Sequence, residues 1–140
     1  MYLSKPDSSR FALGSTAILW ISATLSIAAQ AASPSDLLAG YTAQAGSPSS
    51  VTRGQDFFTK THGREWSCAS CHGVVPIQVG KHASTGKSIG ALAPAFNTER
   101  FTDVAKAEKW FRRNCNDVVG RECTASEKAD VLNWLTSLKN

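Results

Sequence analysis

The chain has 140 residues, 42% of them hydrophobic, with 15 Lys/Arg against 11 Asp/Glu, three His and four Cys. That length admits one domain and little else, and a formal charge of +4 is too slight an excess to point to nucleic acid. Eight Lys/Arg against four Asp/Glu between Lys81 and Arg121 allow a locally positive face, or simply a solvated mixed surface.

Residues 1–31 read as an export signal. Lys5 and Arg10 precede an apolar run at residues 11–29, and Ala29-Gln30-Ala31 offers small residues at signal-peptidase spacing, which places cleavage after Ala31. A retained anchor is the alternative, because the run is long. Gly14, Ser15, Thr16, Ser22, Thr24 and Ser26 dilute it, however, and no basic stop-transfer cluster follows. On either reading the folded part is periplasmic, meeting a membrane only through an uncleaved leader. About 109 residues then remain, a small core that would profit from a staple.

Residues 32–50 are rich in Ser, Ala and Gly, with Pro34 and Pro48 as breakers, and read as a loose lead-in with one short helical turn around Leu37 and Tyr41. The domain proper is predicted at residues 51–140. A helix at 51–61 takes Ser49 or Ser50 as its N-cap. Gly54 and Phe58 share one of its faces, so a second helix can approach at Gly54 and pack on Phe58. Residues 73–97, with Gly80, Gly86, Gly90, Pro76 and Pro94, read as loop. Thr102 is predicted to cap a helix ending near Arg113, with Val104, Ala107, Trp110 and Phe111 as its apolar stripe. Thr124-Ala125-Ser126-Glu127 is a capping box opening a last helix through Leu138, with Val131, Leu132, Leu135 and Leu138 inward. No strand signal or repeat is present, so the fold class is all-α.

The four cysteines fall as two pairs, Cys68/Cys71 and Cys115/Cys123. Cys68-Ala69-Ser70-Cys71-His72 fits the attachment motif for haem c. On one helical turn the two thiols match the separation of the porphyrin vinyl groups, and His72 falls under the iron as an axial ligand. A thioredoxin-type dithiol would need a preceding strand. A zinc site would need Cys115 and Cys123 closer together than eight residues. A Cys68–Cys71 disulfide leaves His72 without a role.

The iron's sixth position is harder to assign. A methionine sulfur is the usual electron-carrier ligand, and the one methionine is Met1. His62, His82, an oxygen or amide ligand, or none at all remain. Asn114 follows Trp110 by four and Phe111 by three, which puts it on the helix face expected to roof the haem. A polar helix-end cap is the plainer role for it.

Gln55-Asp56-Phe57-Phe58, the Cys68–His72 motif, Thr85-Gly86-Lys87, Arg100-Phe101-Thr102-Asp103, residues 108–115 and Gly120-Arg121-Glu122-Cys123-Thr124 with Trp134-Leu135 carry a family resemblance. From about Gly54 onward the chain resembles the sphaeroides haem protein (SHP) family of oxygen-binding monohaem cytochromes c. Trp110-Phe111-Arg112-Arg113-Asn114-Cys115 is the most specific run. The resemblance implies a class I cytochrome c-like fold with N- and C-terminal helices packed over one haem. It also implies Asn114 as distal ligand of the ferric iron, released on reduction, and a Cys115–Cys123 disulfide. The redox partner it implies is a dihaem cytochrome c. The opened iron would take a diatomic gas such as O₂, NO or CO, with turnover such as converting NO and O₂ to nitrate a further step. The competing reading is a plain electron carrier with a permanently six-coordinate, bis-His haem.

Overall fold

Thr124 and Glu127 form the reciprocal cap that their spacing predicts. Thr124 Oγ1 accepts the Glu127 N–H at 3.2 Å, and Glu127 Oε2 accepts the Thr124 N–H at 2.8 Å. In the computed structural model, which describes residues 32–139, this cap opens the helix around which the others assemble. The elements are α1 (Pro34–Ala45), α2 (Val51–Thr59), α3 (Cys68–His72), β1 (Gly80–Lys81), β2 (Ser88–Ile89), α4 (Val104–Val118) and α5 (Ala125–Ser137). The export signal and its cleavage point lie outside the described residues. Among those residues no helix is long and apolar enough to cross a membrane.

Helix α5 is buried on two adjacent faces. Ala129 and Leu132 meet Leu37 and Tyr41 of α1, while Val131, Trp134 and Leu135 meet Phe58 of α2. The close approach predicted at Gly54 is present: a Cβ added there would collide with the backbone carbonyl of Asp130. One turn on, the rings of Phe58 and Trp134 lie 4.9 Å apart. The Asp130 carboxylate, itself buried, accepts the Ser50 N–H at 2.6 Å, Arg53 Nε at 2.7 Å and Arg53 Nη2 at 2.8 Å. The start of α2 is thereby tied to α5 through charge-assisted hydrogen bonds, the stronger kind.

Three expectations change. The lead-in at 32–50 is not loose, since residues 34–45 form a complete helix with Leu37 and Tyr41 in the core. Pro34 does not break it. It occupies the first turn, where its missing N–H costs nothing, behind a Ser33/Asp36 capping box. The cap of α4 is Asp103, accepting the Lys106 N–H at 2.9 Å, rather than Thr102. That helix continues five residues past Arg113 to Val118, so Asn114 sits inside it and cannot be an end cap. Finally, the glycine-rich loop contains a two-residue antiparallel ribbon, Gly80 opposite Ile89 and Lys81 opposite Ser88. It is too short to leave an alternating pattern in sequence.

Gly54→Ala is expected to destabilise the protein by about 1–3 kcal/mol, the usual cost of overpacking, visible as a lower thermal midpoint. Gly40→Ala is the matched control. An added Cβ there meets nothing within 4 Å, and the helix gains up to about 1 kcal/mol from the better helix former.

Candidate haem site

The attachment motif is one short helix with a defined start and stop. The Ser67 N–H is accepted by Ser70 Oγ at 3.0 Å, and Gly73, at φ 82°, ends the turn with its N–H on the Ala69 carbonyl at 2.8 Å. Both Cys68 and Cys71 carry free thiols, whereas Cys115 and Cys123 are joined in a disulfide with Cα atoms 5.6 Å apart. Cys68 packs against the Phe58–Trp134 cluster, and burial pushes its thiol up to about 11. Cys71 Sγ accepts the Ala83 N–H at 3.3 Å.

His72 lies with its ring 6.2 Å from Phe58. Burial lowers its pKa to about 4, helped by the charges of Arg100 and His82. The imidazole is therefore neutral at physiological pH, the form that binds iron. Its ring has no hydrogen-bond partner among the described residues.

Phe101 and Phe111 are packed against both core clusters, including the one that holds Cys68. Phe111 packs α4 on the cluster that also holds Cys68, with its ring edge-on to Tyr41 at 5.8 Å. One turn further along α4 is Asn114, half-buried, whose side-chain amide makes no hydrogen bond among the described residues. Asn97, Asn116 and Asn133 all use theirs. Two free thiols and a neutral, unpartnered imidazole on one turn fit a covalently held haem c with one protein ligand to its iron.

The other two histidines are engaged elsewhere. His62 Nε2 donates to the Phe57 carbonyl at 2.8 Å, and its ring rests on Phe57 at 4.3 Å. His82 sits in the β1–β2 turn, where Nδ1 accepts the Thr85 N–H at 3.3 Å. That turn packs on α3, the helix that carries His72, with the Ala83 N–H on Cys71 Sγ. Two contributors escaped sequence reasoning. Gly80 runs against the attachment turn, where a Cβ would collide with the Cys71 carbonyl and stand 3.0 Å from His72 Cα. Arg100, known from sequence only as part of a resembling motif, reaches His72 with its charge. Nothing local marked either, because both are tertiary approaches.

Helices packed around a Cys-x-x-Cys-His turn, with aromatic side chains beside it, define a monohaem c-type cytochrome of the class I kind. Residues 44–135 match a family described as a domain of unknown function (DUF1924). The chain is 49% identical over 109 residues to the cytochrome c-type protein SHP of Cereibacter sphaeroides, covering 75% of this chain and 84% of that protein. The structure of oxidised SHP, described as an oxygen-binding cytochrome c, superposes with a TM-score of 0.71 at 47% identity, over 76% of this chain and 97% of that one. Cytochrome c'' of Methylophilus methylotrophus is 47% identical over 90 residues, covering 61% of this chain and 62% of that protein. Its solution structure, concerned with haem-ligand detachment, gives a TM-score of 0.67 at 38% identity, over 76% and 94% of the two chains. The chain belongs to the SHP family of cytochromes c, and its cofactor is one covalently bound haem c.

Gly80→Ala should push the β1–β2 ribbon off the attachment turn. The expected result is a holoprotein with a lower thermal midpoint, by an overpacking cost of about 1–3 kcal/mol, while Gly63→Ala, in open space, costs only its left-handed backbone.

Proposed function

We propose that this protein is a periplasmic, ligand-gated cytochrome: it accepts an electron from a redox partner and then binds a diatomic gas at the position Asn114 leaves. Thioethers from Cys68 and Cys71 and the imidazole of His72 hold the cofactor. The haem supplies the redox-active iron at which O₂, NO or CO can bind. Asn114 offers the ferric iron an amide oxygen, a hard, neutral, weak-field donor better matched to Fe(III) than to softer Fe(II). Asn114 therefore detaches after reduction.

The observation that carries this reading is the Asn114 amide, set inside α4 beside Cys115 and without a hydrogen-bond partner among the described residues. The related oxygen-binding SHP and the ligand-detaching cytochrome c'' support it by likeness. The bis-His carrier would need His82 opposite His72, whereas His82 Nδ1 is engaged within its own turn by Ser84 and Thr85.

Asn114→Ala is expected to give five-coordinate or water-bound ferric haem, still reducible and still binding CO. Asn114→His should give low-spin iron in both oxidation states with CO binding slowed by at least tenfold, because imidazole stays on Fe(II). Absorption spectra of both oxidation states, with and without CO, read these outcomes. An unchanged ferric spin state in Asn114→Ala, beside a spectral change in His82→Ala, would move the sixth ligand to His82.

The proposed electron donor is a dihaem cytochrome c with an acidic docking surface. Lys106 and Lys109 are exposed on α4, Arg113 stacks 5.7 Å over the exposed Trp110 ring, and Arg112 is shared with Glu122 at 3.5 Å. Charges at such a rim steer encounter and are screened within about 8–10 Å at physiological salt. Reduction should slow as ionic strength rises, measured by stopped flow against a dihaem donor. A salt-independent rate would remove the charged docking face.

A further inference from the structure

Arg100 is half-buried, and among the described residues no carboxylate pairs with it. Its Nε donates to the Ala91 carbonyl at 2.9 Å and its Nη2 to the Gly90 carbonyl at 2.8 Å. Asn97 Nδ2 shares the Ala91 carbonyl at 3.2 Å, which fixes the acceptor. The ion pairs among the described residues all belong to other cations: Arg53, Lys60, Arg112, Arg121 and Lys128. Carbonyl dipoles solvate a guanidinium but do not neutralise it, and a partly desolvated charge is costly without a counter-charge. Of the five donors on the planar fork, three remain free, those on Nη1 and the second hydrogen of Nη2. The placement is also specific. A Cβ at Gly90 would press to 3.3 Å from Asn97 Nδ2, the amide that shares the Ala91 carbonyl with Arg100. The next residue, Phe101, holds a left-handed φ of 61° while its ring packs into both core clusters. That conformation is unfavourable for a bulky residue and persists only where its surroundings enforce it. Gly90, which accepts from the fork, follows Ile89, the strand partner of Gly80, and Gly80 lies against Cys71 and His72, so the fork stands on the attachment-turn side of the ribbon.

We propose that Arg100 binds a haem propionate: the free edge of its guanidinium makes charge-assisted hydrogen bonds to the carboxylate while the Gly90 and Ala91 carbonyls hold the opposite edge. This rests on the haem being held at Cys68, Cys71 and His72. A bidentate Arg–carboxylate contact is the strong, orienting kind, and a lysine could supply the charge but not the fork. Arg100 is thus a positioning residue, whose fork would orient the porphyrin by its carboxylate. It also supplies the counter-charge that keeps the propionate ionised. The other ionisable groups near this space are His72, bound to iron in the holoprotein, His82 from the ribbon turn, and the exposed Glu99.

The test uses purified holoprotein of the natural sequence and of Arg100→Gln, Arg100→Lys and His82→Asn. Covalent haem content is measured first, and a chain without thioether-bound haem would sink the cofactor reading itself, separately from Arg100. In loaded protein, the propionate bending band in the resonance Raman spectrum should shift in Arg100→Gln and recover in part in Arg100→Lys. The propionate inflection in the midpoint potential against pH should rise by one unit or more in Arg100→Gln, a tenfold or greater gain in proton affinity, because the cation that favours the carboxylate is gone. It should stay in place in His82→Asn. An Arg100→Gln variant that melts earlier yet keeps both the Raman band and the potential–pH curve would reduce Arg100 to a staple between residues 90–91 and α4. Loss of the inflection in His82→Asn would assign it to that imidazole and overturn the proposal.

Discussion

At Gly54 the backbone of α2 lies directly against the backbone of α5, with the Asp130 carbonyl standing where any side chain would project. The closeness of this crossing sets the position of Phe58, which is almost wholly buried beside Trp134. Phe58 in turn forms the floor on which His72 rests, and the same cluster covers Cys68. The proximal half of the site is therefore rigid by packing, the regime in which a single methylene is felt. The Asp130 carboxylate reinforces it, since one buried side chain ties the N-terminus of α2 to the middle of α5.

Helix α4 is held differently. It buries few side chains of its own, with Ala107, Cys115 and Val118 inward and Val104 and Trp110 largely exposed. Discrete tethers do the rest. Glu108 pairs with Lys128 of α5 at 2.7 Å, and the Cys115–Cys123 disulfide anchors the far end to the segment leading into α5. In the chain-entropy account a bridge closing so short a loop is worth about 2–3 kcal/mol. Here it also fixes the backbone beside Asn114. On the proposed reading the asymmetry suits the chemistry, because a permanent ligand needs a packed floor and a detachable one needs a defined backbone with a free side chain.

What was legible in the sequence follows the range of the interaction. The capping box at Thr124 and Glu127, the small-residue contact at Gly54 and the attachment turn are local signatures, and each appears where it was expected. Ser33-Pro34-Ser35-Asp36 is equally local but ambiguous, because a proline breaks a helix everywhere except in the first turn, which is where Pro34 lies. The end of α4 was misplaced because no Gly or Pro stops it before Gly120, and the polar run from Arg112 to Asn116 resembles a terminus. Gly80 and Arg100 could not have been found locally. Their importance lies in what approaches them from segments about ten residues away.

The interior position of Asn114 bears on how a ligand can leave at low cost. A ligand carried on a loop could depart by moving backbone, at the expense of whatever that backbone held in place. Within a regular helix the main-chain hydrogen bonds of α4 are already satisfied, so on the proposed reading only the side-chain torsions of Asn114 need change. The released amide must then find a partner, since a buried unpaired amide costs about 1–3 kcal/mol. Asn114 is half-buried rather than enclosed, so water at the protein surface can take over that role. A histidine at the same position would pair a stronger bond to iron with a larger ring to displace, and its departure would disturb the packing around Phe111. A short, neutral, weakly bound side chain on a tethered helix meets both requirements: it defines one resting state and leaves without asking the fold to move.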